Sequence, residues 1–278
     1  MRITYRKKDI KNYWTSRWEK IAIDDSMVNS KIYPLKYAEQ LIIDRNESIL
    51  EAGCGPGRIL RYYHAKGMNI VGIDFIESVI KKLKKADPTL KVKTENISNL
   101  SFDNESFKYI LAFGLFHCLP MTEEILPNAI KETYRVLKDG GSICASFRAD
   151  NIQTKLVDFH STLVSKEADF IKPKDNNFDD QKLEFHKINF LKNELKTLFE
   201  KEGFIVESIT PIQNMFFLYK FKFFRSKEHK DFDESLGRNK GYGLSWLGKV
   251  IENFLIYFFP SQWCNMFLII AHKKRNSE

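Results

Sequence analysis

The chain has 278 residues, 43% of them apolar and 29% charged, with 23 phenylalanines. That is enough apolar material to bury a core without disulfide or metal staples, and it excludes collagen-like, low-complexity and globally disordered classes. A net charge of +8 favours anionic surfaces weakly and falls short of a concentrated nucleic-acid-binding arm.

The four cysteines, Cys54, Cys118, Cys144 and Cys264, form no CxxC pair and have no histidine spaced to complete a zinc site. Reduced thiols, a cytoplasmic location and no metal are therefore expected. The first residues, MRITYRKKDIKNYW, are polar and lack the apolar core of a secretion signal. The longest apolar stretch, 250–259, is interrupted by Glu252 and Asn253 and is too short to cross a bilayer of about 30 Å.

In chain order, helical spacing of Ile10, Tyr13, Trp14, Arg17, Trp18 and Ile21 predicts an amphipathic helix over 9–22. A second follows over 33–44, with Leu35, Ala38, Leu41 and Ile42 inward. These two helices are expected to precede the first strand. The runs SILEA, NIVGID, VKTEN, KYILAF and SICASF then arrive as strands alternating with helical or turn-rich segments. Such alternation predicts an α/β fold, a parallel sheet with helices on both faces.

After Phe147 the rhythm breaks: 148–188 reads as a polar insertion, with DNNFDD at 175–180 an exposed loop. A helix over 189–202 ends at Gly203, FIVESIT forms a strand, and a second insertion, rich in Phe and Lys, fills 211–262 before the last strand MFLIIAHK. The organisation expected is a single domain. Its parts are a helical lid (1–46), a cofactor-binding core (47–147), an insertion (148–188), a helix and strand (189–210), a second insertion (211–262) and a closing strand and tail (263–278).

The chemistry concentrates in ILEAGCGPGR at 49–58. Gly53, Gly55 and Gly57 make the turn between a strand and a helix, where the backbone bends sharply and lets a ligand approach. A dinucleotide fingerprint GxGxxG would need glycine where Arg58 stands, so the GxGxG spacing disfavours a redox nucleotide.

With Glu51 before this turn, the chain resembles the class I S-adenosylmethionine-dependent methyltransferases, in particular the small-molecule group of the "type 11" kind. The resemblance covers roughly 48–147 and the closing strands. It implies a doubly wound, Rossmann-like sheet of order 3-2-1-4-5-7-6 with the last strand antiparallel, and S-adenosylmethionine as cofactor. By that resemblance Glu51 and the glycine turn face the methionine portion, Asp74 binds the ribose hydroxyls and Phe75 packs on the adenine. Asn96, in place of the usual Asp, offers an oxygen to the adenine amino group beside the Ile97 amide, and the Phe113 to Gly114 backbone meets the ammonium. LKDGG at 137–141 matches the family's LKPGG turn, with Asp139 for Pro.

A sulfonium already activates its methyl group, so the protein mainly holds an acceptor in line at about 3 Å, excludes water and, for weakly acidic acceptors, takes a proton. The resemblance implies a small-molecule acceptor methylated at oxygen, and the aromatic, basic second insertion suggests a hydrophobic, glycan or lipid-linked one. His117, just past the fourth strand, is a candidate general base or a partly buried histidine satisfied by backbone. Tyr13, Trp14 and Arg17 are candidates for a lid, with Tyr13 on the acceptor side, or are simply core. YKFKFFRSK at 219–227 suits an anionic headgroup, or is Lys stems covering apolar surface. No strong nucleic-acid signal is present and peripheral membrane contact stays open, as does the oligomeric state. The competing functions are an RNA or protein methyltransferase and a non-catalytic S-adenosylmethionine-binding protein.

Overall fold

A computed structural model describes residues 1–6, 9–21, 27, 29–164, 184–212, 216–231 and 241–275. Seven strands form the central sheet: β2 (Ile49–Ala52), β3 (Ile70–Asp74), β4 (Val92–Thr94), β5 (Phe107–Phe113), β6 (Leu137–Arg148), β8 (Ile205–Ile212) and β9 (Met266–His272). Their order is β4-β3-β2-β5-β6-β9-β8. Every pairing is parallel except those of β9, which is antiparallel to both β6 and β8. This is the order expected from the resemblance.

The strands are apolar on both sides because both sides are covered. Alternate residues of β5 show the division: Ile110 and Ala112 join one core cluster and Tyr109 and Leu111 the other. On the first face α5 (Ile125–Val136) and α7 (Lys192–Lys201) bury Leu126, Ile130, Leu195 and Phe199. On the second, α2 (Leu35–Leu41), α3 (Arg58–His64) and α4 (Glu77–Ala86) bury Leu35, Leu60, Tyr63 and Leu83.

Two expectations are corrected. The chain opens with a strand, β1 (Arg2–Arg6), ahead of helix α1 (Ile10–Lys20), and the first insertion is not simply irregular. It holds α6 (Ile152–Val164) and β7 (Glu184–Asn189), and β7 pairs antiparallel with β1 in a separate two-stranded sheet. Ile3 and Ile188 face each other in that pair and pack on the first core cluster, so the apolar contact is non-local. The DNNFDD segment lies outside the described residues.

The second insertion is helical: α8 (Phe216–Tyr219), two 3-10 turns, α9 (Trp246–Phe258) and α10 (Pro260–Trp263). It has its own small core of Leu218, Tyr219 and Leu244, packed by Phe224, Ile251, Leu255 and Trp263. No helix among the described residues is long and apolar enough to cross a membrane.

Candidate functional site

At the carboxyl ends of β2, β3, β5 and β6 lies a cleft of about 1660 Å³, the place where open α/β sheets bind ligands. A single ligand site usually has about 300–1,000 Å³, so the space suits a cofactor together with an acceptor.

The bend after β2 forms the floor. Gly53, Gly55 and Gly57 have φ of +71°, +50° and +74°, the left-handed region that glycine enters without strain. Close packing adds a second demand. A Cβ on Gly53 would stand 3.0 Å from Leu115, one on Gly55 3.0 Å from the Trp18 ring and one on Gly57 2.7 Å from Leu83. Gly53 and Gly55 line the cleft, whereas Gly57 does not. The third glycine seats α3 against α4.

Asp74 ends β3 beside this bend. Its carboxylate accepts from the Gly55 amide at 2.9 Å and the Ile76 amide at 3.0 Å, one donor per oxygen, which leaves each oxygen a lone pair for a sugar hydroxyl. Glu51 is the more telling group. It is 5% exposed, its Oε2 has no partner, and burial pushes its carboxyl up to about 8. A buried carboxylate with an orphaned oxygen at the floor of a cleft is a receptor for a cation or donor. The methionine ammonium of S-adenosylmethionine is such a group, so the residues present fit that cofactor.

Phe75, partly exposed, and Ile97, buried, both line the cleft. Asn96 also lines the cleft, but its oxygen already accepts from the Ser98 amide at 3.0 Å and the Ser98 hydroxyl at 2.8 Å. Those two bonds hold the Asn96 side chain against Ser98. Phe113 stands edge-on to Tyr33 with ring centroids 5.6 Å apart. Behind them Ser146 Oγ accepts from the Gly114 amide at 2.9 Å and meets the Tyr33 hydroxyl at 2.9 Å, fixing the exit of β5.

Helix α1 lies across the cleft, with Tyr13, Trp14, Arg17 and Trp18 in its wall. Asp9 caps its start by accepting from the Asn12 amide, and Lys82 from α4 closes its end by donating to the Trp18 and Glu19 carbonyls, each at 3.0 Å. The aromatic stripe lines the cleft, and Trp14 and Trp18 also pack against the second core cluster. Trp14 is stacked on Trp18 at 5.0 Å and the Arg17 guanidinium sits 5.8 Å from its ring. Trp18, not Trp14, closes on the glycine bend. Trp18 follows Trp14 by four residues in the same helical stripe.

His117 is buried in the cleft wall at the first turn after β5. Its ring bonds the Ser146 backbone and its Nδ1 has no partner. Burial, with the Lys187 and Arg148 cations nearby, pushes its pKa down to about 3. Burial thus favours the neutral imidazole. His117 is a neutral hydrogen-bonding group in a positive field. Arg148 ends β6 and bonds Asn189 Oδ1 at 2.8 Å and Asp158 Oδ1 at 2.7 Å. Lys187 comes from β7, and Tyr242, Ile256 and Tyr257 of the second insertion also line the cleft. Among the described residues no group of His, Cys, Asp and Glu could hold a metal.

The family described as "Methyltransferase domain" matches residues 49–141. Phosphoethanolamine N-methyltransferase 3 of Arabidopsis thaliana is 27% identical over 144 residues, 48% of this chain and 29% of that one. The phthiotriol/phenolphthiotriol dimycocerosates methyltransferase of Mycobacterium leprae is 33% identical over 110 residues, 37% of this chain and 38% of that one. The chain thus spans only 29% and 38% of these relatives. A solved S-adenosylmethionine-dependent methyltransferase from Methanosarcina mazei superimposes with a TM-score of 0.57 at 20% identity, over 88% of this chain and 99% of the other, a likeness of fold. With Glu51 and Asp74 set around the glycine bend, residues 49–141 match the methyltransferase-domain family.

Proposed function

We propose that this protein transfers the methyl group of S-adenosylmethionine to an oxygen of a small-molecule acceptor that is hydrophobic, glycan-bearing or lipid-linked. The observation that carries this reading is one cleft roomy enough for a cofactor and an acceptor, lined by Glu51, Asp74 and the glycine bend and also by His117, Arg148, Lys187 and Tyr257. We assign the first group to the cofactor and the second to the acceptor.

The bound cofactor supplies an electrophilic methyl group. This chain's residues do the rest. Asp74 and Glu51 hold the polar ends of the cofactor, Trp18 and its helix exclude water from the bend, and the residues assigned to the acceptor orient an oxygen. Neutral His117 can accept a hydrogen bond from a hydroxyl through Nδ1. The cationic field that opposes protonation of His117 also favours an acceptor oxygen in its anionic form, which needs no protein base. That combination supports an acidic hydroxyl, such as a phenol or enol, over an amine.

The test is a melting scan against S-adenosylmethionine, S-adenosylhomocysteine and NAD, then assay of S-adenosylhomocysteine release with phenolic, glycan and lipid-linked acceptors. Stabilisation by the two adenosyl compounds and release with an apolar hydroxylated acceptor are expected. Stabilisation without release in any acceptor pool would leave a binding protein, and release only with RNA or protein would replace the acceptor class.

A further inference from the structure

Helix α9 has three faces. Gly248 is pressed on the Phe224 carbonyl, where a Cβ would come within 2.9 Å, and Ile251 and Leu255 pack on the insertion's own core. Asn253, Ile256 and Tyr257 line the cleft. The third face recurs every four residues as Trp246, Val250, Phe254 and Phe258, which are 79%, 46%, 58% and 56% exposed. None of these four lines the cleft. Phe223 and Phe259 are also exposed, and the rings of Phe254 and Phe258 stand 4.9 Å apart and those of Phe258 and Phe259 6.4 Å apart. An aromatic patch this continuous marks an interaction surface.

The surrounding charge selects the occupant. The described residues of 216–231 and 241–263 hold six cations (Lys220, Lys222, Arg225, Lys227, Lys230 and Lys249) against the acids Glu228, Asp231 and Glu252. Lys222, Lys227, Lys230 and Lys249 are exposed. Bulky aromatics on one face, with flexible lysines beside them, suit the boundary of a bilayer with anionic headgroups. A second copy of this chain would instead set lysines against lysines. At 13 residues the helix is about 20 Å long, too short to span and suited to lie in the plane of the interface.

We propose that the Trp246, Val250, Phe254 and Phe258 face docks on the surface of an anionic lipid bilayer and that the acceptor is an amphiphile drawn from that bilayer. Tyr257 makes the two surfaces continuous: it is largely exposed and it lines the cleft mouth. An apolar tail can therefore stay in the interface while its polar head enters between α9 and the sheet. The source of the acceptor rests on the methyltransferase reading; the docking does not.

The test uses the full chain with phosphatidylcholine vesicles, alone or mixed with phosphatidylglycerol, in a sedimentation assay at low and high salt. Binding to the anionic vesicles, weakened by salt, is expected, together with a loss of about tenfold or more in affinity for the Trp246→Glu, Phe254→Glu double variant. The variant should keep the wild-type melting temperature and the same melting shift with S-adenosylmethionine, since neither residue touches the cleft. Absent vesicle binding, equal binding by the variant, or a dimer that the variant dissociates would each overturn the proposal. Failure of the methyltransferase reading has a separate signature, the absence of that shift in the wild type.

Discussion

The Asp74 carboxylate and the Gly55 amide are joined by a 2.9 Å hydrogen bond, and through it the end of β3 holds the bend that follows β2. The same side chain accepts from Ile76 and so also sets the start of α4. Replacing Asp74 by Ala strands two backbone donors, a loss of about 1–3 kcal/mol of stability. It also removes a charged acceptor from the cofactor, weakening binding by roughly 10–100-fold. Asp74→Asn, with one oxygen left, should fall between. Denaturant unfolding and calorimetric titration with S-adenosylmethionine measure both effects; an Asp74→Ala protein that binds like wild type would refute the ribose role.

Glu51 and His117 give opposed pH dependences. Burial raises Glu51 from 4.5 to about 8, so the folded chain keeps a proton that the unfolded chain has released. The stability this contributes is full below about pH 4.5 and is lost as pH rises through 8. Burial lowers His117 from 6.5 to about 3. Its contribution is present above pH 6.5 and is lost as pH falls toward 3. Between 4.5 and 6.5 the two oppose each other, and from 6.5 to 8 the Glu51 slope acts alone. The wild type should therefore lose about 2 kcal/mol over that upper interval. Glu51→Gln should stay flat there, and His117→Asn should lose the acid-side decline. A wild type and Glu51→Gln of identical slope above pH 6.5 would show that Glu51 is ionised in the free protein.

Cofactor binding should then be proton-linked. An ammonium brought against the orphaned Glu51 oxygen favours the ionised carboxylate, so S-adenosylmethionine binding below pH 8 releases a proton and tightens as pH rises. Titration calorimetry in two buffers of different ionisation enthalpy reads the release directly. Glu51→Gln should bind more weakly with no buffer dependence, and proton uptake in the wild type would contradict the placement.

Much of this site was readable before the fold was known, because its parts are local. The strands are short apolar runs ending at a glycine turn, and Asp74 follows that turn at the interval a βαβ unit sets. What escaped depends on contacts distant in the chain. RITYR is a five-residue strand with charged ends whose partner lies beyond residue 183, so no local pattern reveals it. Trp18 shares its helical stripe with Trp14, and only the angle at which α1 meets α4 decides which ring covers Gly55. The strand-exit position of His117 was legible, but its protonation was not, since it follows from burial first and then from the Lys187 and Arg148 charges on two other strands.

The three glycines should separate by substitution. Gly57→Ala meets Leu83 and a left-handed φ of +74°, a cost of about 1–2 kcal/mol in stability, with cofactor affinity retained once folded. Gly55→Ala carries similar backbone strain and also pushes the Trp18 ring off the bend, so it should lose affinity as well. Melting and titration of both variants check this, and equal affinity losses would place Gly57 in the binding surface after all.

Asp158 joins the first strand of the chain to Arg148 in the cleft wall. Its Oδ2 accepts from Arg2 Nη1 and its Oδ1 from Arg148 Nη2, both at 2.7 Å, while Arg148 Nε donates to Asn189 at 2.8 Å and Asn189 donates to the Arg2 carbonyl at 3.1 Å. Side-chain exposure across these ion pairs is 17% for Arg2, 12% for Asp158 and 9% for Arg148. Removing the shared carboxylate leaves the buried Arg148 guanidinium with Asn189 alone, while Arg2 keeps Asp150 at 3.0 Å, so Asp158→Ala should lose about 3 kcal/mol. Arg2→Ala should lose less, because Asp158 then keeps Arg148. Since Arg148 lines the cleft near His117, on the acceptor assignment a folded Asp158→Asn protein should raise the KM for acceptor while its calorimetric affinity for S-adenosylmethionine stays at the wild-type value. If both constants moved together, the network would be supporting the whole cleft, and Arg148 would have no selective hold on the acceptor.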